Sequence, residues 1–238
     1  MSTFVLVHGA WHGAWCWRRV ERLLRAEGHE VYTPTLTGLG ERVHLIGRQI
    51  DLETHIEDVL GVLRIEDLRD IVLCGHSYGG MVITAVADRE PQRIAALVYL
   101  DAFVPENGEC TLDLLPAERR EQFDRGVRER GFGWLVPAIP AAVYKVNAAD
   151  QAWVDAQCTP HPLACFEQRL ALTGAHERIA RRLYVRGALY TPSAFAPVAE
   201  RLRRDPAWRV VDLPGGHDLM LDTLKELAAL LMEAAEPR

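Results

Sequence analysis

Short, wholly apolar runs recur along this chain, separated by segments whose apolar residues fall at helical spacing. Phe4–Val7, Glu30–Thr33, Ile71–Cys74 and Ile94–Leu100 read as strands, the second closed by Pro34. Between them, Trp17–Glu27 (stopped by Gly28), Leu52–Ile65 and Met81–Arg89 read as helices. A strand apolar on both faces must be covered on both faces, so the pattern specifies a mostly parallel sheet between helical layers, an α/β fold. The rhythm resumes near the end with Leu183–Val185 and Val210–Leu213 as strands, and Ala194–Arg204 and Leu219–Ala234 as helices.

From Phe103 to Glu177 the rhythm breaks. This stretch holds Phe123, Phe132, Trp134, Trp153 and Phe166 together with prolines at 105, 116, 137, 140, 160 and 162. It is too long for a connection and too apolar for disorder. The reading is a core made of residues 1–102 and 178–238, with residues 103–177 inserted as a mostly helical cap over one end of the sheet. The charge-rich run 118–130 reads as the solvated face of a helix.

Composition narrows the function. With 238 residues the chain can bury a large core without disulfides or metals. A net charge of -6 argues against nucleic acid as a partner. No apolar stretch reaches a membrane span, and the first residues lack the basic-then-apolar order of a secretory leader. Five scattered cysteines (Cys16, Cys74, Cys110, Cys158, Cys165) without a C-x-x-C pair suggest free thiols in a cytoplasmic protein.

Gly75-His76-Ser77-Tyr78-Gly79 is a G-x-S-x-G pentapeptide with an apolar strand before it and a helical pattern after it. That setting makes a nucleophile elbow, in which Ser77 stands at a strained turn above the sheet. The plainer alternative is a tight turn with a capping serine. A serine nucleophile needs donors for the oxyanion of its tetrahedral intermediate, each contributing about 10²–10³ in rate. The N–H of Tyr78, next after the nucleophile, is one donor. The loop His8-Gly9-Ala10-Trp11-His12-Gly13 offers the N–H of Ala10 as the second. His8 and His12 stand four apart, but Gly9 and Gly13 make a helical metal site implausible, so no metal is expected and His8 is read as a loop-holding hydrogen-bonder.

Among nine histidines, His217 is the expected base, because the turn Pro214-Gly215-Gly216 brings it to the sheet edge where ligands bind in such folds. His76 sits in the elbow itself and should point away from Ser77. The carboxylate that would orient His217 is commonly found after the next-to-last strand, yet no Asp or Glu occurs between Glu177 and Glu200. Asp101, closing the strand Ile94–Leu100, is the candidate instead, with Asp218 and Glu106 less well placed. The chain order Ser77, Asp101, His217 keeps the serine-acid-histidine order of hydrolases with this elbow. Trp11, Trp134, Trp153, Phe166 and His161 are the candidate pocket residues; the plainer reading is that the aromatics only pack the cap and that His161 lies in a surface loop.

With these residues in view, the chain resembles the α/β-hydrolases, in the branch of plant methylesterases, hydroxynitrile lyases and bacterial esterases. The motifs are Phe4–Trp17, Gly75–Met81, Gly215–Asp218 and Thr159–Leu163. The resemblance implies a lidded α/β-hydrolase without cofactor, often a homodimer. In the lyases of that branch a threonine stands where Gly9 stands here, and a lysine where Asp218 stands. Both departures favour a serine carboxylic-ester hydrolase acting on a small or aromatic ester through an acyl-enzyme. A carbon–carbon lyase of the hydroxynitrile type, a lactone hydrolase and an inactive ligand-binding module are the competing expectations.

Overall fold

The computed structural model describes residues 1–236. Six parallel strands form the central sheet: β1 (Thr3–Val7), β2 (Glu30–Tyr32), β3 (Ile71–His76), β4 (Ile94–Leu100), β7 (Arg182–Gly187) and β8 (Trp208–Leu213), in the order β2-β1-β3-β4-β7-β8. The inner strands β3 and β4 are buried along almost their whole length, as continuous apolar runs require. The core helices are α1 (Arg18–Ala26), α2 (Leu52–Ile65), α3 (Gly79–Arg89), α7 (Ala196–Leu202), α8 (Leu219–Asp222) and α9 (Leu224–Ala235). Asp51 starts α2 by accepting from the Thr54 N–H at 2.9 Å, while the Thr54 hydroxyl caps Asp51 in return.

The order β2-β1-β3 reverses the direction of winding at β1, which leaves a crevice at the C-terminal ends of β1 and β3. Ser77, Asp101 and the loop after β1 all leave the sheet at that edge.

The 103–177 stretch is inserted between β4 and β7. It holds α4 (Ala117–Glu129), α5 (Gln151–Gln157), α6 (Ala164–Glu167) and a two-stranded antiparallel ribbon of β5 (Leu135–Val136) and β6 (His161–Pro162). It is less helical than its apolar spacing suggested. Pro137, Pro140, Pro160 and Pro162 withhold backbone donors from the chain between α4 and α6 and fragment it. The final helix also differs from the single 219–234 segment expected. It breaks at Thr223, and the break frees Asp222 to accept from Gly216 N–H at 2.7 Å and from Asn147 at 3.0 Å, tying the turn before His217 to the cap.

All five cysteines are unpaired, with Cys16, Cys74, Cys110 and Cys165 buried. Among the described residues, no helix is long and apolar enough to cross a membrane.

Candidate active site

Ser77 has φ +54°, a left-handed conformation that a non-glycine residue adopts only under constraint. The constraint is the close packing of backbone on both sides. A Cβ on Gly75 would lie 2.6 Å from the Gly79 carbonyl, and one on Gly79 would lie 2.8 Å from the His8 carbonyl. The loop after β1 packs just as closely: a Cβ on Gly9 would meet Ser77 Cβ at 2.8 Å. Gly9 is thus required for contact rather than for a special turn, since its φ is not positive. A threonine at that position, as in the lyases, would need this backbone to move.

Asp101 also has positive φ, +40°, and is fully buried. Its Oδ2 lies 2.7 Å from Nδ1 of His217, which donates to it, and its Oδ1 accepts from the Gly187 N–H at 3.3 Å. The end of β7, whose following loop carries no carboxylate, therefore supplies a donor to the carboxylate that follows β4. Burial pushes the Asp101 carboxyl up, and the bond from His217 pulls it back. With Nδ1 engaged, Nε2 is the His217 nitrogen left for chemistry. His217 is fixed from other sides too. Its N–H donates to the Tyr144 carbonyl at 2.9 Å, and His76 Nε2 donates to its carbonyl at 3.2 Å. The rings of Tyr144, Tyr190 and Phe195 stand 5.0–5.2 Å from its own. His76, in the elbow, turns Nε2 to the His217 carbonyl and gives its proton to this support.

Ser77, His217, Ala10 and Tyr78 line one cavity. Neither the Ala10 nor the Tyr78 N–H is drawn to an acceptor among the described residues. Trp11 and Phe166 line the cavity with Phe123, Tyr144, Tyr190 and Phe195. Trp134, Trp153 and His161 do not. Trp134 stacks beneath the Arg48 guanidinium, 5.1 Å from the ring centre. Trp153 packs edge-on against Trp15 at 5.1 Å, holding α5 to the core. The pattern showed that these residues were apolar, not which way they faced. Tyr144, Tyr190 and Phe195 escaped notice because nothing local marks an aromatic that meets His217 only across the fold.

His161 is a clamp rather than a pocket residue or a surface residue. It is fully buried, and its Nδ1 accepts the Trp11 N–H at 3.4 Å. The Thr159 N–H donates to the Trp11 carbonyl at 2.9 Å, and the Trp11 indole N–H donates to the Val136 carbonyl at 3.0 Å. The cap ribbon thereby grips, at three points, the residue that follows the candidate oxyanion donor. Trp11 sits at φ +64°, so without the grip this loop has a cheaper conformation to fall into.

Asp218 does not reach the cavity. It is buried and accepts from His12 Nε2 at 3.0 Å, while His12 Nδ1 donates to the Ala10 carbonyl at 2.7 Å. Both ring nitrogens of His12 donate, which is the bonding of an imidazolium. Burial opposes that charge, but the Asp218 carboxylate outweighs it and raises the His12 pKa; Asp218 is correspondingly held low. Asp218 is therefore not the partner of His217. Glu106, the other runner-up acid, is exposed and pairs with Arg201 at 2.9 Å. His8 holds its loop, as expected, accepting the Leu36 N–H at 3.0 Å and donating to the Gly9 carbonyl at 2.8 Å.

Two buried groups come close enough to be weighed as metal sites: His55, His161 and Cys165, and His76, His217 and Asp218. In the first, the proton of neutral His161 must sit on Nε2 because Nδ1 accepts from Trp11, and burial pushes the Cys165 thiol far up. In the second, Asp218 is committed to His12 and His217 Nδ1 to Asp101. The first group therefore lacks three free lone pairs; in the second, His76 Nδ1 and Asp218 Oδ1 have no hydrogen-bond partner among the described residues, while His76 Nε2 and His217 Nδ1 are engaged.

The chain matches the family model described as "Alpha/beta hydrolase family" over residues 4–230. It is 47% identical to a carbendazim hydrolyzing esterase of Nocardioides sp. (strain SG-4G), over 97% of this chain and 98% of that protein. An extracellular alpha/beta-hydrolase from a Paenibacillus species, described as sharing structural and functional homology with tobacco salicylic acid binding protein 2, superposes with a TM-score of 0.86. It has 26% identity and full coverage of both chains. Methylesterase MES16 from Arabidopsis superposes with a TM-score of 0.76 at 25% identity, covering 98% of each chain.

Two tests follow from the site. His161→Phe keeps the ring volume and removes the acceptor for Trp11. It is expected to lower kcat by about tenfold, the worth of one hydrogen bond at a donor-bearing loop, with KM changed less. Steady-state kinetics on an activated ester checks this, and unchanged kcat would show that the grip is idle. The second concerns pH. Burial lowers His8 to about 3 and His55 to about 4, from 6.5. An unfolded histidine takes up its proton near 6.5 and these two do not, so the stability is full above that pH and falls below it. Between pH 6.5 and 5.0 each loses roughly 1–2 kcal/mol, and His76 and His161, which burial also lowers, lose stability in the same direction. His12, raised, works oppositely and loses its contribution only as pH rises. Denaturant unfolding at the two pH values should show a fall of several kcal/mol from His8, His55, His76 and His161 together; a flat profile would mean that these rings protonate in the folded state.

Proposed function

The chain belongs to the alpha/beta hydrolase family and is a serine carboxylic-ester hydrolase, and from that premise we propose that Ser77, His217 and Asp101 carry its chemistry on a compact aromatic ester. His217 Nε2 takes the Ser77 proton as Oγ attacks the ester carbonyl, and the N–H groups of Ala10 and Tyr78 receive the oxyanion. Collapse expels the alcohol, protonated by His217. Water, deprotonated by the same nitrogen, then cleaves the acyl-enzyme and releases the carboxylic acid. Asp101 keeps Nδ1 protonated, which leaves Nε2 basic, and stabilises the imidazolium that forms.

The observation that carries this reading is the 2.7 Å bond from His217 to a fully buried Asp101, on a cavity that Ser77 also lines. The aromatic walls support the substrate class. Trp11, Phe123 and Phe166 line the cavity and pack edge-on, Trp11–Phe123 at 5.7 Å and Phe123–Phe166 at 5.4 Å, so its wall offers aromatic faces and edges to a substrate ring. The name of the Nocardioides relative adds carbendazim as a compound to try.

A panel of p-nitrophenyl, methyl aryl and lactone esters with carbendazim tests the reading. Turnover should be greatest on methyl aryl or p-nitrophenyl esters and fall to background in Ser77→Ala. Asp101→Asn should lower kcat by roughly 10⁴-fold, since an amide there holds the wrong imidazole tautomer. Asp101→Asn within a few-fold of wild type would show that another group orients His217.

A further inference from the structure

Besides the reacting groups, the polar side chains of the cavity wall are Tyr78, Tyr144, Tyr190, Thr111 and Arg119; the Tyr78 hydroxyl is bonded to His55 at 3.0 Å, and the chemistry above uses neither Thr111 nor Arg119. These last two reach it from the cap, whereas Ser77 and His217 reach it from the sheet edge. Thr111 is 1% exposed, and its hydroxyl has no hydrogen-bond partner among the described residues. A buried orphan hydroxyl costs about 1–3 kcal/mol unless something else satisfies it. Arg119, on α4, is the only cationic residue of the lining, and among the described residues no carboxylate pairs with it; its neighbour Glu118 is exposed. The guanidinium donates to Gln122 Oε1 at 2.9 Å and reaches the Tyr190 hydroxyl at 3.4 Å, with its carbon 5.7 Å from the centre of the Tyr144 ring. These neutral contacts hold it, half-exposed, at the rim between the cavity and an adjoining surface hollow, with no carboxylate as its partner.

We propose that Thr111 and Arg119 form a polar subsite for the end of the substrate remote from the scissile bond, and that it takes an anionic hydrogen-bond acceptor, a carboxylate. An orphan donor and an unmatched cation in one cavity ask for the same thing, a group that accepts and is negative. The rest of the wall is mostly aromatic, and Arg presents two N–H groups in the geometry a carboxylate matches. The preferred substrates are then half-esters of aromatic dicarboxylic acids or esters of similar shape. The proposal rests on the ester-hydrolase reading with Ser77 as nucleophile.

The test compares methyl benzoate with the monomethyl esters of isophthalic and terephthalic acid, using p-nitrophenyl acetate as reference. Wild type should favour at least one acid-bearing ester in kcat/KM by about ten- to a hundredfold, chiefly through KM, as a charge-assisted hydrogen bond provides. The preference should weaken in high salt. R119Q should lose at least tenfold more on the acid-bearing ester than on methyl benzoate. R119K should keep part of the preference, and T111V should lose about threefold more on the acid-bearing ester. Where turnover is slow, the same esters used as competitive inhibitors of p-nitrophenyl acetate hydrolysis report the binding directly. No preference in wild type by either readout, or equal losses on both esters in R119Q, overturns the subsite. Undiminished hydrolysis of p-nitrophenyl acetate in Ser77→Ala would instead sink the reading beneath it.

Discussion

Bare backbone packed against bare backbone at one edge of the sheet is the constraint on which the site depends. Gly75 and Gly79 let the end of β3 and the start of α3 touch, and Gly9 lets the loop after β1 rest on Ser77 itself. Side chains at these positions would push the elbow and the oxyanion loop apart. The contact strains Ser77 into a left-handed conformation and brings the amides of Ala10 and Tyr78 to the same cavity. Strain at this turn persists because the buried strands on either side fix its ends.

His217 is held by a different means, since its loop comes from the far end of the chain. Four groups from four parts of the fold converge on residues 216 and 217: the Asp101 carboxylate, the Tyr144 carbonyl, the His76 ring and the Asp222 carboxylate. Two of these, Asp222 and Tyr144, also join this loop to the cap, through Asn147 and the aromatic wall. The cap thus does more than cover the cavity. Its ribbon grips Trp11, its Tyr144 seats His217, and its Thr111 and Arg119 line the same cavity as Ser77.

Burial sets the charges around this machinery. His8, His55, His76 and His161 are kept neutral by desolvation, so each can accept from or donate to the backbone in one fixed tautomer. His12 alone of this group is drawn to the charged form, and its counter-ion is Asp218. The departure from the lyases next to His217, at Asp218, therefore acts as half of a buried ion pair with His12.

Much of this was legible in the chain alone. The apolar runs gave the parallel sheet, and β4 and α2 fall on the residues that periodicity indicated. The elbow, His217 and Asp101 followed from local rules: glycine spacing, a turn before a helix, and the lack of any acid between Glu177 and Glu200. These features are legible because backbone sterics and hydrophobic periodicity act over a few residues. The direction of cap side chains was not legible. Trp153 packs against Trp15, 138 positions earlier, while Phe166 enters the cavity, and nothing in their neighbouring residues separates the two. Nor could the sequence place Asp218 with His12 rather than at the cavity, or show Thr111 and Arg119 facing the same space. Those outcomes depend on contacts between segments far apart in the chain, whose relative positions are settled only when the cap closes on the sheet and burial makes each unpaired polar group costly.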